Sequence, residues 1–233
     1  MMDRKQFIRA VGGAALVPFV PQLLAAPRVI AAATSAAGAC QFSPSVPEGP
    51  FYLDAKLVRR EIAEGRPGIP IEYRLGVVDA QCRPVVNALV DVWQCDRDGV
   101  YSGYPGQATG ANTTGMTFLR GVQVTDAQGL ARFTGIYPGW YPRRLTHLHV
   151  KIHVSSKAVV TTNVFYPDAV NAEVYVSPLY KARGPNPTTV AQDVELKGDA
   201  ERFKALLFSL TRDESGRYVG VYTFGIAGQP TGA

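Results

Sequence analysis

Residues 146–154, THLHVKIHV, alternate without a break: Leu148, Val150, Ile152 and Val154 against His147, His149, Lys151 and His153. A period of two predicts a strand that turns an apolar face to a core and a polar face away from it. The polar face carries all three histidines of the chain. Neighbours on one face of a strand lie about 7 Å apart, so the rings of His147 and His149 can converge on a single ion. His153 is about 13 Å along the strand from His149, too far to share it, and reads as a solvated residue.

Six further stretches have strand character: 71–79, 85–95, 116–125, 130–136, 159–166 and 217–226. Turn formers such as Asp98-Gly99, Gln128-Gly129 and Ser215-Gly216 separate several of them. One helix is predicted over 199–210, with Asp199 as cap and Phe203, Leu206, Leu207 and Leu210 on one face. Many short strands at this spacing predict an all-β fold, an antiparallel β-sandwich with long loops and one or two short helices. Residues 40–70, rich in Pro and Gly, read as an arm wrapping that domain.

Residues 1–34 read as an export signal and 35–233 as the domain. The start is basic (Arg4, Lys5, Arg9), an apolar run follows over 10–26, and small residues then offer a cleavage point between Thr34 and Cys40. Gly12, Gly13, Pro18 and Pro21 break the run, which argues against a span retained in the mature protein. Residues 3–9 resemble a twin-arginine signal with Lys5 in place of the second arginine. The expected location is the periplasm or the outside of the cell. Beyond residue 34, twenty basic side chains face eighteen acidic ones, so the pI of 9.2 owes much to the leader and is no nucleic-acid signature. In an oxidising compartment two of the three cysteines should pair. Cys40 and Cys82 are the expected pair, because Cys95 sits in an apolar strand where a buried thiol is common.

With no histidine left for a three-histidine zinc site, any further ligands must be oxygen or sulfur. Of eleven tyrosines, most read as amphipathic packing residues. Tyr101 and Tyr141 differ, each pinned by turn residues beside a strand end. Two phenolates with two imidazoles suit a trivalent metal better than Zn²⁺. The residues by themselves leave rival readings open: a non-catalytic exported β-sandwich binding module, or a copper-binding periplasmic protein.

Four ordered blocks add a resemblance. LVDVWQCDRDGVY (89–101), FLRG (118–121), GIYPGWYP (135–142) and HLHV (147–150) together resemble the intradiol ring-cleavage dioxygenases, and the likeness runs over residues 40–167. It implies a β-sandwich holding Fe(III) through Tyr101, Tyr141, His147 and His149. It further implies insertion of both atoms of O2 into a catechol-type aromatic diol, giving a cis,cis-muconate-type product. Arg144 then matches the arginine that stabilises negative charge on bound substrate, and Tyr141 is also the catalytic acceptor of a diol proton. The block EGPFY (48–52) resembles the segment beside the aromatic pocket, which places Pro50 there. Asn163 is expected at the pocket too, where the family often has glutamine. No organic cofactor is implied. The helical dimerisation segment of catechol 1,2-dioxygenases has no counterpart, which leaves a homo-oligomer as one option.

Overall fold

A computed structural model describes residues 40–155 and 157–227; the expected export signal lies outside them. Eight strands form two four-stranded sheets. The first has the order β4 (Leu130–Ile136), β1 (Pro70–Val78), β8 (Tyr218–Gly225), β7 (Ser209–Arg212). The second has the order β3 (Arg120–Val124), β2 (Leu89–Trp93), β5 (His147–Val154), β6 (Lys157–Phe165). All pairings are antiparallel except β1 with β8, which is parallel, so the expected antiparallel sandwich is a mixed one.

Alternation along the strands decides which side chains meet between the sheets. Ile71, Tyr73, Leu75 and Val77 of β1 and Ala131 and Phe133 of β4 pack against Val90 and Val92 of β2, Leu148, Val150 and Ile152 of β5, and Val164 of β6. Their parity sends Asp91 and Trp93, His147, His149 and Lys151, and Asn163 to the other face of the second sheet. That face is covered as well: Trp93, His147, His149 and Asn163 are all buried. Part of the cover is the arm. Val46 N–H donates to the Thr161 carbonyl, Thr162 Oγ1 donates to the Pro44 carbonyl, and Lys151 pairs with Glu48 at 2.7 Å. Cys40 and Cys82 form the expected disulfide across 42 residues, tying the arm's first residue to the sandwich, and Cys95 is a buried free thiol.

The predicted helix over 199–210 is shorter. Asp199 does cap it, accepting from Arg202 N–H at 2.9 Å, but α2 spans only Ala200–Ala205. Leu206 O then accepts from Phe165 N–H, Phe208 N–H donates back to Phe165 O, and the chain enters β7 against β8. Pairing at two sheet ends outweighs a helical pattern of four apolar residues. A helix the sequence reading did not single out, α1 (Asp168–Tyr175), follows Pro167 and buries Val174 and Tyr175. No helix among the described residues is long and apolar enough to cross a membrane.

Two outcomes follow from this arm. Denatured, unreduced protein should titrate with a single thiol, and Cys82→Ser should lower unfolding free energy by about 2–4 kcal/mol, read from urea denaturation. Three free thiols would refute the bridge. Asp91, beneath Tyr52 of the arm, has its carboxyl raised by burial to about 7 against the Tyr52 hydrogen bond and Arg120, which lower it. Between about pH 4 and 7 the folded protein therefore keeps a proton that the unfolded chain has released, and stability falls as pH rises. Asp91→Asn should abolish that fall and be the more stable protein near pH 7, by on the order of 2 kcal/mol. Equal pH slopes for the two proteins would show that Asp91 ionises normally.

Candidate metal centre

The two histidines of β5 are locked by their neighbours. The imidazole of His149 lies between its cross-strand partners, Trp93 on β2 and Asn163 on β6. Trp93 stacks on it with ring centroids 4.7 Å apart and planes 8° from parallel. Asn163 Nδ2 lies 2.8 Å from His149 Nδ1. His147 Nδ1 is 2.5 Å from the Leu145 carbonyl, which can only accept, so His147 Nε2 carries the free lone pair. The two Nε2 atoms come within 3.0 Å of each other.

Two loops bring in the tyrosines. Asp96 accepts from the N–H groups of Asp98 and Val100, closing the turn before Tyr101. Gln107 then grips Tyr101 by both ends of its amide: Oε1 accepts from Tyr101 N–H and Nε2 donates to the Tyr101 carbonyl, each at 2.7 Å. Tyr141 lies in the facing loop. The loops touch through bare backbone, with Gly139 N–H donating to the Asp96 carbonyl at 2.9 Å. A Cβ on Gly139 would sit 2.3 Å from the Arg97 carbonyl oxygen, and one on Gly99 2.2 Å from that of Trp140, so neither position admits a side chain.

The result is a convergence of four donor atoms. Tyr101 Oη is 3.0 Å from His149 Nε2 and 3.4 Å from His147 Nε2, and Tyr141 Oη is 3.2 Å from His147 Nε2. Burial, then the Arg144 charge, pushes His147 down to about 3, and burial and His147 hold His149 well below its ordinary value. Both imidazoles are therefore neutral near pH 7, and His147 presents its lone pair at Nε2. Burial pushes the Tyr141 phenol up to about 12 against the pull of Arg144, and raises Tyr101 well above its usual value. Such phenols ionise only against a concentrated positive charge, which a bound Fe³⁺ supplies and a monovalent ion does not. Among the described residues no three His, Cys, Asp or Glu side chains cluster around a common point. The side-chain donors that stand beside the two imidazoles are the phenol oxygens. The donor set fits a hard trivalent ion.

Arg144 borders the four. The turn that aims it begins at Tyr141, whose carbonyl accepts from Arg144 N–H, with Pro142 and then Arg143 at φ 67° between them. This is a type II pattern with a side chain where glycine is favoured. The Arg144 guanidinium is buried: Nη1 is 3.4 Å from Tyr141 Oη, Nη2 donates to Asn163 Oδ1 at 2.5 Å, and Nε donates to Asp193 Oδ2 at 3.2 Å. Asn163 has no exposed surface; it bridges Arg144 and His149 instead of facing an open pocket. Pro50 is exposed, between Gly49, where a Cβ would come 3.8 Å from His149 Cε1, and Phe51. Phe51 stacks on Tyr101 at 4.4 Å and meets Tyr141 edge-on. His153 is half-buried at the far end of β5 and takes no part. Trp93, Gln107 and Asp193 were not singled out from the sequence. The alternation of β2 could have marked Trp93 as facing the histidines; no local pattern marks Asp193. Gly139→Ala should push the tyrosine loops apart and cost about 1–3 kcal/mol, as overpacking does; an unchanged denaturation midpoint would show that the loops separate freely.

Comparisons with known proteins bear on the family and the fold. The family described as Dioxygenase matches residues 45–213. A hydroxyquinol 1,2-dioxygenase from Corynebacterium glutamicum is 30% identical over 138 residues, covering 50% of this chain and 44% of that one. A second from Rhodococcus opacus matches to the same extent, so the aligned stretch spans less than half the length of either curated relative. An intradiol ring-cleavage dioxygenase from Tetranychus urticae superposes with a TM-score of 0.73 at 27% identity, over 81% of this chain and 95% of that structure. A 3-chlorocatechol 1,2-dioxygenase from Rhodococcus opacus, at 22% identity and a TM-score of 0.56 over 80% of this chain and 73% of its own, shares the fold. By its family match and by the sandwich on which its two histidines and two tyrosines meet, the chain belongs to the intradiol ring-cleavage dioxygenases.

Proposed function

We propose that this protein is an exported non-haem Fe(III) dioxygenase that inserts both atoms of O2 into a catechol-type aromatic diol, cleaving the ring between the hydroxyl-bearing carbons to a cis,cis-muconate-type product. The observation that carries it is the meeting of two imidazole Nε2 atoms and two phenol oxygens beside a buried arginine. His147, His149, Tyr101 and Tyr141 would hold the iron. Bound there, Fe³⁺ supplies a Lewis acid that anchors the diol and draws electron density from its ring, making the ring reactive toward O2.

The remaining work falls to the chain's own groups. Tyr141 Oη, at the half-buried edge of the site, would be ionised with iron held there, and as a phenolate is the base within reach of an arriving diol, taking one of its two protons. Arg144 Nη1, beside that oxygen, offers a fixed positive charge where the diol becomes anionic. Phe51 and Trp93 cover Tyr101 and His149 with aromatic rings and keep water from them. The hydroxyquinol dioxygenases among its relatives support an aromatic diol as substrate class. The Cys40–Cys82 bridge supports an oxidising compartment, periplasmic or extracellular.

Purified protein should contain iron and be red-brown from tyrosinate-to-iron absorption, and that band should shift when catechol is added without air. Tyr101→Phe and Tyr141→Phe should each alter the band. Arg144→Ala should keep iron and colour while turnover falls on the order of 10²–10³-fold, as on removal of a charge-stabilising donor. Colourless protein whose tightly bound metal is copper or zinc would reject the assignment.

A further inference from the structure

The buried Asp193 lies 49 residues beyond Arg144 in sequence, in the loop between α1 and α2. All four acceptor positions of its carboxylate are used. Oδ2 accepts from Arg144 Nε at 3.2 Å and from Leu145 N–H at 2.7 Å, and Oδ1 accepts from the N–H groups of Glu195 and Leu196 at 2.9 and 3.0 Å. The same loop holds the neighbouring backbone. Val194 N–H donates to the Arg143 carbonyl at 3.2 Å, and Asn186 Nδ2 donates to the Arg144 carbonyl at 2.9 Å. Three successive residues, 143 to 145, are thus gripped by one loop, and the grip falls on a turn whose Arg143 occupies a strained left-handed conformation.

We infer that Asp193 is a positioning residue for Arg144: it anchors the Nε edge of the guanidinium and so turns the opposite edge toward Tyr141 and the diol. This rests on the role given to Arg144 above. A guanidinium offers several donors in one plane, and fixing Nε fixes the direction of both terminal nitrogens. Asn163 takes Nη2, which leaves Nη1 directed at the phenol oxygen. The buried carboxylate also gives the buried cation a partner, without which it would be drawn toward solvent. Asparagine at 193 could serve only one of the two donor pairs, because its amide nitrogen accepts nothing.

The test is a double-mutant cycle on the full-length, iron-loaded protein with catechol as substrate. Asp193→Asn should retain iron and the tyrosinate absorption while kcat falls about 10²-fold, the scale of an Ångström-level misplacement. In an Arg144→Lys background, which has no Nε to anchor, the same substitution should add less than about a twofold loss, the non-additivity expected of one unit. Equal losses in both backgrounds, or an Asp193→Asn protein that is colourless or unfolded, would make Asp193 a residue of the fold and overturn the inference. A second readout needs neither metal nor substrate. In metal-free wild type, the Arg144 Nε–H resonance, identified by its absence in Arg144→Lys, should exchange with water slowly. Exchange as fast as in free arginine would also overturn the inference. Iron-free, inactive wild type would instead sink the reading of the site, and slow Nε–H exchange in that same protein would tell the two failures apart.

Discussion

The hydrogen bond from Gly139 N–H to the Asp96 carbonyl holds together the two loops that carry the tyrosines. Tyr101 and Tyr141 come from different strand connections, and nothing in the sheet hydrogen bonding brings them within reach of each other. What does so is backbone lying against backbone, allowed because positions 99 and 139 lack side chains. Once the loops are joined, their phenol oxygens have one place to go, over the Nε2 atoms that β5 presents. The site is therefore a property of two interfaces, loop on loop and loop on sheet, each with little freedom to adjust.

Burial on both faces of the second sheet is the next constraint. A sandwich needs only one apolar face per sheet, and the outer face here carries histidine, asparagine, aspartate and lysine. Covering these groups costs free energy unless each finds a partner. They do: His147 Nδ1 meets a carbonyl, His149 Nδ1 meets the Asn163 amide, Lys151 meets Glu48, and Asp91 meets Tyr52. The arm that supplies part of this cover is itself cross-linked by Cys40–Cys82. The same desolvation leaves the imidazoles neutral and the phenols reluctant to ionise.

The other tyrosines show how differently one residue type is used. Tyr73, Tyr137, Tyr166, Tyr175 and Tyr180 fill the sandwich, as expected of packing residues, and their hydroxyls are satisfied internally: Tyr73 with Gln94 and Tyr166, Tyr137 with Asn171, Tyr175 with Thr146, and Tyr180 with the Tyr137 carbonyl. Tyr52 packs outside that core. It lies on Trp93, under the Lys151 ammonium and against Asp91, and so links the histidine site to the arm. A tyrosine beside the four donors differs from one in the core by its neighbours alone.

Local patterns determined a good deal of this protein. Seven of the eight strands follow from alternation and turn residues, and β5 is among them, with its histidines on one face and its leucine, valine and isoleucine on the other. The pairing of Cys40 with Cys82 also followed, because the alternative partner lay in an apolar strand. Tyr101, Tyr141 and Arg144 were legible through ordered motifs, each pinned by turn chemistry a few residues away. The tertiary structure alone decided what depends on distant segments meeting. It cut the 199–210 helix short and made β7, because Phe165 and β8 offered backbone partners that a helix forgoes. It paired β1 with β8 in parallel, since strand direction is not written in side-chain period. It also enclosed Asn163 between Arg144 and His149, stacked Trp93 on His149, and set Asp193 behind Arg144. A side chain's face is fixed within two residues of chain, whereas its partner across a loop is fixed by the packing of the whole.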